Sequence, residues 1–204
     1  MPDFSDEGTG PAKAALRVRM LARRRALSPQ VRRVAAGRIQ AELIALVRRV
    51  RPARITGYVP VGSEPGGPDL PDALAGALGP GGQFLLPVLC PDLDLDWAPY
   101  GGPASLVAAG RGLREPAAER LGPAAVGTAE LIVVPAVAVD HTGLRLGRGG
   151  GSYDRALART DENALTVALL YDGEVIDSVP RGLHDRPVRS VITPSGGFQL
   201  LISG

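Results

Sequence analysis

Residues 131–157, LIVVPAVAVDHTGLRLGRGGGSYDRAL, constrain the fold of this chain more than any other stretch. Leu131, Ile132, Val133 and Val134 form an apolar run that reads as a buried strand, stopped by Pro135. A loop with Asp140 and His141 follows, then Gly147, Gly149, Gly150 and Gly151, with Arg145, Leu146 and Arg148 among them. The segment closes on SYDRAL, the first turns of a helix, with Ser152 and Asp154 near its start. A strand, a basic glycine loop and a helix start together make an anion cradle. Glycines let the backbone approach closely, free N–H groups point at the ligand, and the helix dipole favours negative charge. Phosphate fits that arrangement best. A Walker A loop is excluded, because Ser152-Tyr153 stands where Lys-Ser/Thr is required, and the glycines are too compact for a dinucleotide fingerprint.

Strand and helix patterns alternate around that stretch. Residues 12–27 favour helix, with Leu16, Met20 and Leu27 at roughly helical spacing and Lys13 and Arg17 on one face. Ser28-Pro29 caps a second helix running to about Val50. Its expected buried stripe is Val31, Val34, Ala35, Ile39, Leu43, Leu46 and Val47. Strands are expected at 54–59, 83–87, 92–100, 165–171, 189–193 and 198–202, with a short helix at 69–78. Residues 101–128 read as a long, weakly patterned connection. The alternation predicts an α/β fold with a largely parallel sheet. Ligands bind such sheets at the strand C-terminal ends, where the glycine loop and Glu64 both lie. Residues 1–11, polar with Gly and Pro, are expected to be a disordered tail, and 12–204 one domain.

Composition removes several classes of function. The 204 residues, 45% hydrophobic and 22% charged, are those of a soluble globular protein. Aromatics at 4% argue against a stacking surface for single-stranded nucleic acid. Net charge is +2, yet Arg23, Arg24, Arg25, Arg32, Arg33, Arg48 and Arg49 make the N-terminal quarter basic. A solvated helix face accounts for them; a basic nucleic-acid-binding module is the rival reading. The single cysteine, Cys90, rules out an internal disulfide and reads as a small core residue. With only His141 and His184 and no HExxH or CxxC, hydrolytic zinc chemistry is not expected. The start lacks signal-peptide character and no apolar run approaches the about 18 residues of a membrane span, so a cytoplasmic protein is expected.

Several polar residues have two readings. Asp154 is either a charge on the helix dipole or a magnesium ligand beside a phosphate loop. Lys13 and Arg17 are surface cations or reach phosphates from a neighbouring helix. Glu64 is a loop acid or binds substrate opposite the glycine loop. His184-Asp185 is an exposed turn or a metal-side acid.

Taken together, Lys13 with Arg17, Tyr58 with Glu64, residues 135–155 including RLGRGGGSYDR, and residues 180–185 resemble the 5-formyltetrahydrofolate cyclo-ligase family. The resemblance covers nearly the whole chain after the tail. It implies a three-layer α/β sandwich with a mostly parallel central sheet, of the type shared with sugar-phosphate isomerases and CoA-transferase-like proteins. It also implies MgATP-dependent conversion of 5-formyltetrahydrofolate to 5,10-methenyltetrahydrofolate, by a monomer whose partners are ATP and a reduced folate. Carried over, Lys13, Arg17, Arg145, Leu146, Gly147, Arg148, Gly149, Gly150, Gly151, Ser152 and Tyr153 would hold ATP, and Asp154 and Asp185 magnesium. Val59 and Glu64 would take the pterin, with Arg148, Gly149, Gly150, Gly151 and Ser152 also against the substrate. Arg148, Tyr153 and Asp154 would be the catalytic residues. The chain departs from the family pattern at Ser152, usually Tyr, at Val139, usually Phe, and in lacking a Gln where Asp172 and Glu174 stand. Another MgATP-dependent small-molecule ligase or kinase on the same fold is the rival enzyme reading.

Overall fold

A computed structural model describes residues 9–201. Helix α1 (Thr9–Ala26) starts before the expected residue 12, because Pro11 sits in its first turn, where a missing N–H costs nothing. Thr9, Gly10 and Pro11 are therefore helical, not tail; the rest of the expected tail, residues 1–8, lies outside the described residues. Helix α2 (Pro29–Val50) is capped as its sequence dictates: the Ser28 hydroxyl accepts from Val31 N at 3.2 Å, and Arg51 ends it in the left-handed region at φ 52°. Its buried stripe is Ala35, Ile39, Leu43, Leu46 and Val47. Val31 and Val34 are 49% and 47% exposed, contrary to expectation. Val34 lies a step of about 100° off that stripe, and Val31 stands in the first turn ahead of it.

The remaining elements follow in order: β1 (Arg54–Thr56), α3 (Leu70–Ala77), β2 (Gln83–Leu89), β3 (Leu95–Pro99), β4 (Leu106–Ala108) and β5 (Arg114–Pro116). Then come β6 (Leu131–Pro135), β7 (Ala138–Asp140), β8 (Arg145–Leu146) and α4 (Ser152–Leu157). The chain ends with β9 (Leu165–Leu169), β10 (Val175–Ile176), β11 (Ser190–Thr193) and β12 (Gly197–Leu200); Ile202 of the expected last strand lies outside the described residues. The central sheet runs β12-β11-β9-β6-β1-β2-β3, parallel from β11 to β2, with an antiparallel strand at each edge. Alternate residues of its inner strands serve opposite cores. Leu131, Val133, Val167 and Leu169 pack with Ile39, Leu43 and Leu74, on the α2 and α3 side. Ile132, Val134 and Ala168 pack with Trp97, Ala156 and Leu157, on the α4 side. Helices thus cover both faces, as continuous apolar strands require.

Two hairpins stand outside that sheet. The loop expected after Pro135 folds back as β7 and β8, pairs with β10, and takes the Leu16 and Met20 face of α1. Asp140 makes its turn, accepting from Thr142 N, Thr142 Oγ1 and Leu144 N through Oδ1 and from Val179 N through Oδ2. The expected featureless connection contains the β4–β5 hairpin. Among the parallel strands, the connection from β1 leads out to β2 on one side and the chain later returns to β6 on the other. The C-terminal ends of β1 and β6 therefore flank a topological switch point, where α/β sheets open a crevice.

Candidate active site

A cavity of about 870 Å³ occupies that crevice. Its walls come from Lys13 and Arg17 of α1, the loop after β1 with Val59 and Glu64, the glycine loop, Tyr153 and Asp154 of α4, and Asp185. Residues separated by up to 172 positions meet here. The glycine loop is shaped by its composition: Gly149 has φ 109°, a conformation closed to ordinary side chains, and a Cβ there would lie 3.5 Å from the Arg17 guanidinium. Arg17 Nε donates to Gly147 O at 2.8 Å, so α1 and the loop are fastened together beside the cavity. Helix α4 has six residues and Gly151 as its N-cap, with φ 67° and no side-chain capping bond.

Three cations of the wall, Lys13, Arg145 and Arg148, each meet an acid. Lys13 Nζ donates to both oxygens of Asp185, at 2.7 and 2.6 Å, and Gly182 N also donates to Oδ2. Arg145 Nη2 donates to Asp154 Oδ1 at 3.0 Å, where the Arg186 N–H arrives as well, at 3.3 Å. Arg148 Nε lies 2.9 Å from Glu64 Oε1, while Glu64 Oε2 accepts from Val61 N. Glu64 is nearly buried, at 9% exposure, and Arg148 is half exposed, at 52%. Arg145 also lies 5.8 Å over the Tyr153 ring. Two buried donors facing this region, Tyr153 Oη and Arg145 Nε, lack a hydrogen-bond partner. Burial first, then the Glu64 charge, pushes the Tyr153 hydroxyl far above the usual phenol range, so it is a donor at any physiological pH.

Three comparisons bear on this geometry. The family model described as "5-formyltetrahydrofolate cyclo-ligase family" matches residues 9–194. The 5-formyltetrahydrofolate cyclo-ligase of Mycolicibacterium smegmatis is 40% identical over 195 residues, covering 93% of this chain and 97% of the relative. The chain belongs to the 5-formyltetrahydrofolate cyclo-ligase family. The solution structure of Aquifex aeolicus 5,10-methenyltetrahydrofolate synthetase superposes with a TM-score of 0.73 at 29% identity, covering 94% of both chains. The corresponding synthetase of Mycoplasma pneumoniae shares the fold, with a TM-score of 0.68 at 19% identity over 88% of this chain and 96% of its own.

The cavity gathers the residues that the resemblance assigns to ATP, substrate or metal. Lys13, Arg17, Val59, Glu64, Arg145, Leu146, Gly147, Arg148, Gly149, Gly150, Gly151, Ser152, Tyr153, Asp154 and Asp185 all line it. His184 is an exposed wall residue, and Cys90 is half-buried and not on the wall. No group of three or more His, Cys, Asp and Glu that could hold a metal occurs among the described residues. Magnesium needs no such cage, since it binds through one or two carboxylates plus substrate phosphates and water. Asp154 fits that pattern, since its recorded hydrogen bonds all fall on Oδ1.

The sequence reading missed Arg24 and Glu174. Arg24 Nε and Nη2 each donate to a Glu174 oxygen at 2.7 Å, and Nη2 also reaches Ala136 O at 2.6 Å. Both side chains are buried, and Arg24 touches the cavity. Burial raises the Glu174 carboxyl while the guanidinium opposes it, and the net direction is upward. Arg24 looked like part of a solvated arginine run. Its i+4 and i+8 spacing from Met20 and Leu16, on the apolar face of α1, is the signal that marks it as inward.

Proposed function

We propose that this cyclo-ligase converts 5-formyltetrahydrofolate and ATP into 5,10-methenyltetrahydrofolate, ADP and phosphate. One observation carries the reading: the basic glycine loop and Glu64 face each other across a single cavity, joined by the Arg148–Glu64 pair at 2.9 Å. The formyl oxygen attacks the γ-phosphorus and the bond from γ-phosphorus to the ADP oxygen breaks, leaving an imidate-like phosphate ester. The neighbouring folate amine then attacks the former formyl carbon, loses its proton and expels phosphate with the formyl oxygen, closing the ring. Little covalent work falls to the protein, so positioning and charge stabilisation carry the rate.

Lys13, Arg17 and Arg145 serve the phosphates, with the backbone from Gly147 to Gly151 and Ser152 around them. Arg148 neutralises charge at the transferring group. Glu64 accepts from pterin N–H groups, Val59 lines that end, and the Tyr153 hydroxyl donates to a substrate oxygen. Asp154 and Asp185 would hold magnesium, which would supply charge neutralisation at the phosphates. ATP and the reduced folate are the partners, the acting species is a monomer, and its place is the cytoplasm. No helix among the described residues is long and apolar enough to cross a membrane. A single domain that begins with α1 at Thr9, of the isomerase and CoA-transferase-like type, is part of the same reading, supported by a family match over residues 9–194.

Mixing protein, MgATP and 5-formyltetrahydrofolate and following the methenyl product's ultraviolet absorbance tests the proposal. Product should form only when all are present. Folate-independent ATP turnover would favour the rival kinase reading, and no product at high enzyme would reject the activity.

A further inference from the structure

Arg155, in α4, lines the cavity but takes no part in the three ion pairs of its wall. Its guanidinium turns back under the glycine loop instead. Nη2 donates to Leu93 O at 2.6 Å and to Gly150 O at 3.2 Å. Nη1 lies against Gly151, where a Cβ would be 3.0 Å away. Nε is buried without a hydrogen-bond partner, 3.8 Å from Asp94 Oδ1.

Leu93 belongs to the turn between β2 and β3, which Leu93 N closes on Cys90 O at 3.0 Å and Cys90 N on Asp94 O at 2.9 Å. Its φ of 67° is uncommon for a residue with a side chain, and such backbone persists only where its surroundings hold it. Arg159 fastens the same turn separately, donating to the two Asp94 oxygens at 2.9 and 2.6 Å. Both arginines thus tie the α4 end of the chain to the turn, but of the two it is Arg155 that also grips the glycine loop.

Peptide planarity gives that grip a consequence. A trans peptide points its C=O and N–H in opposite directions. Arg155 draws the Gly150 carbonyl to one side, so the Gly151 N–H is directed to the other. Arg17 treats the preceding part of the loop alike: its Nε holds Gly147 O at 2.8 Å, which directs the Arg148 N–H away from α1. The N–H groups of Arg148, Gly149, Gly150 and Gly151 have no protein acceptor among the described residues. Successive free amides form an anion nest, and a run of glycines has little stiffness of its own. Two arginines, one on each side of the loop, supply the stiffness.

We propose that Arg155 is a positioning residue for the triphosphate, holding the Gly150–Gly151 peptide with its N–H toward the cavity before ATP arrives. It touches neither the substrate nor the reacting atoms. The assignment rests on the ATP-dependent reading above and names a residue that presets its loop. Ordering the loop in advance removes that entropy cost from the binding step.

Arg155→Met removes both hydrogen bonds and keeps the aliphatic stem; the side chain is 41% exposed, so the core stays intact. Calorimetric titration with MgATP alone should show about tenfold weaker binding than wild type, the effect of losing one or two hydrogen bonds. Titration with 5-formyltetrahydrofolate alone should stay within about twofold. Arg159→Gln is the structural control. It breaks the paired hold on the same turn and leaves Gly150 untouched, so its MgATP affinity should stay within about twofold of wild type even where its Tm falls. A salt series separates positioning from direct attraction: the ratio of Arg155→Met to wild-type dissociation constants should hold from about 50 to about 500 mM KCl, where the attraction of exposed charges is screened. Unchanged MgATP affinity in Arg155→Met, an equal loss in Arg159→Gln, or a ratio falling toward one with salt overturns the assignment. Titration needs no turnover, so failure of the proposed cyclisation is read separately, in the absorbance assay.

Discussion

Arg148 and Glu64 hold each other across the cavity, and the proposed reaction requires both to change partners. Glu64 sits at 9% exposure, so removing its carboxylate strips the pterin end of its acceptor. Glu64→Ala should raise the folate KM by about 10- to 100-fold, the range for one or two charge-assisted hydrogen bonds, with ATP affinity nearly intact. Arg148→Ala should do the reverse, weakening ATP by about tenfold or more. Steady-state KM values for the two substrates check both, and an equal loss of both affinities in Glu64→Ala would remove it from the pterin role. The glycine loop was legible in the sequence because its spacing and its position after a strand carry chemistry by themselves, whereas Lys13, Arg17 and Glu64 kept two readings each until the family resemblance chose between them. Arg24 and Glu174 were not legible, because 150 residues separate partners whose meaning depends on burial.

At the scale of elements, that pair fastens α1 to the β7–β10 side of the molecule and to Ala136 at the end of β6. Glu174→Ala leaves a guanidinium buried without its counter-charge, and should cost about 3–5 kcal/mol in denaturant unfolding. The double variant Arg24→Met with Glu174→Leu should recover most of that loss; no recovery would mean the pair is not what the site depends on. The β7–β8 hairpin rests on Asp140. Burial pushes its carboxyl up, but hydrogen bonds from Thr142, Val179 and Leu144 outweigh it, and the group sits below its ordinary value of 3.8. The unfolded chain therefore takes the proton first, so the stabilisation is present above the ordinary carboxylate range and is lost as pH falls through the lowered value. The Tm gap between wild type and Asp140→Asn should narrow from about pH 6 down to about pH 3. A gap that stays constant would contradict the role. Both hairpins escaped the sequence reading because strands of two or three residues are too short for alternation to show.

For the whole molecule, the α/β class and the parallel core were readable from apolar runs such as 131–134, whose residues pack alternately on two cores. The strand order was not, since nothing local says that β1 lies between β2 and β6. That order brings the glycine loop and Glu64 to one crevice, and so makes direct attack by the formyl oxygen on the γ-phosphorus possible. Labelling that oxygen isotopically and weighing the released phosphate tests this claim most directly. One labelled oxygen in each phosphate, formed in step with the methenyl product, is the expected result; unlabelled phosphate alongside product would contradict it.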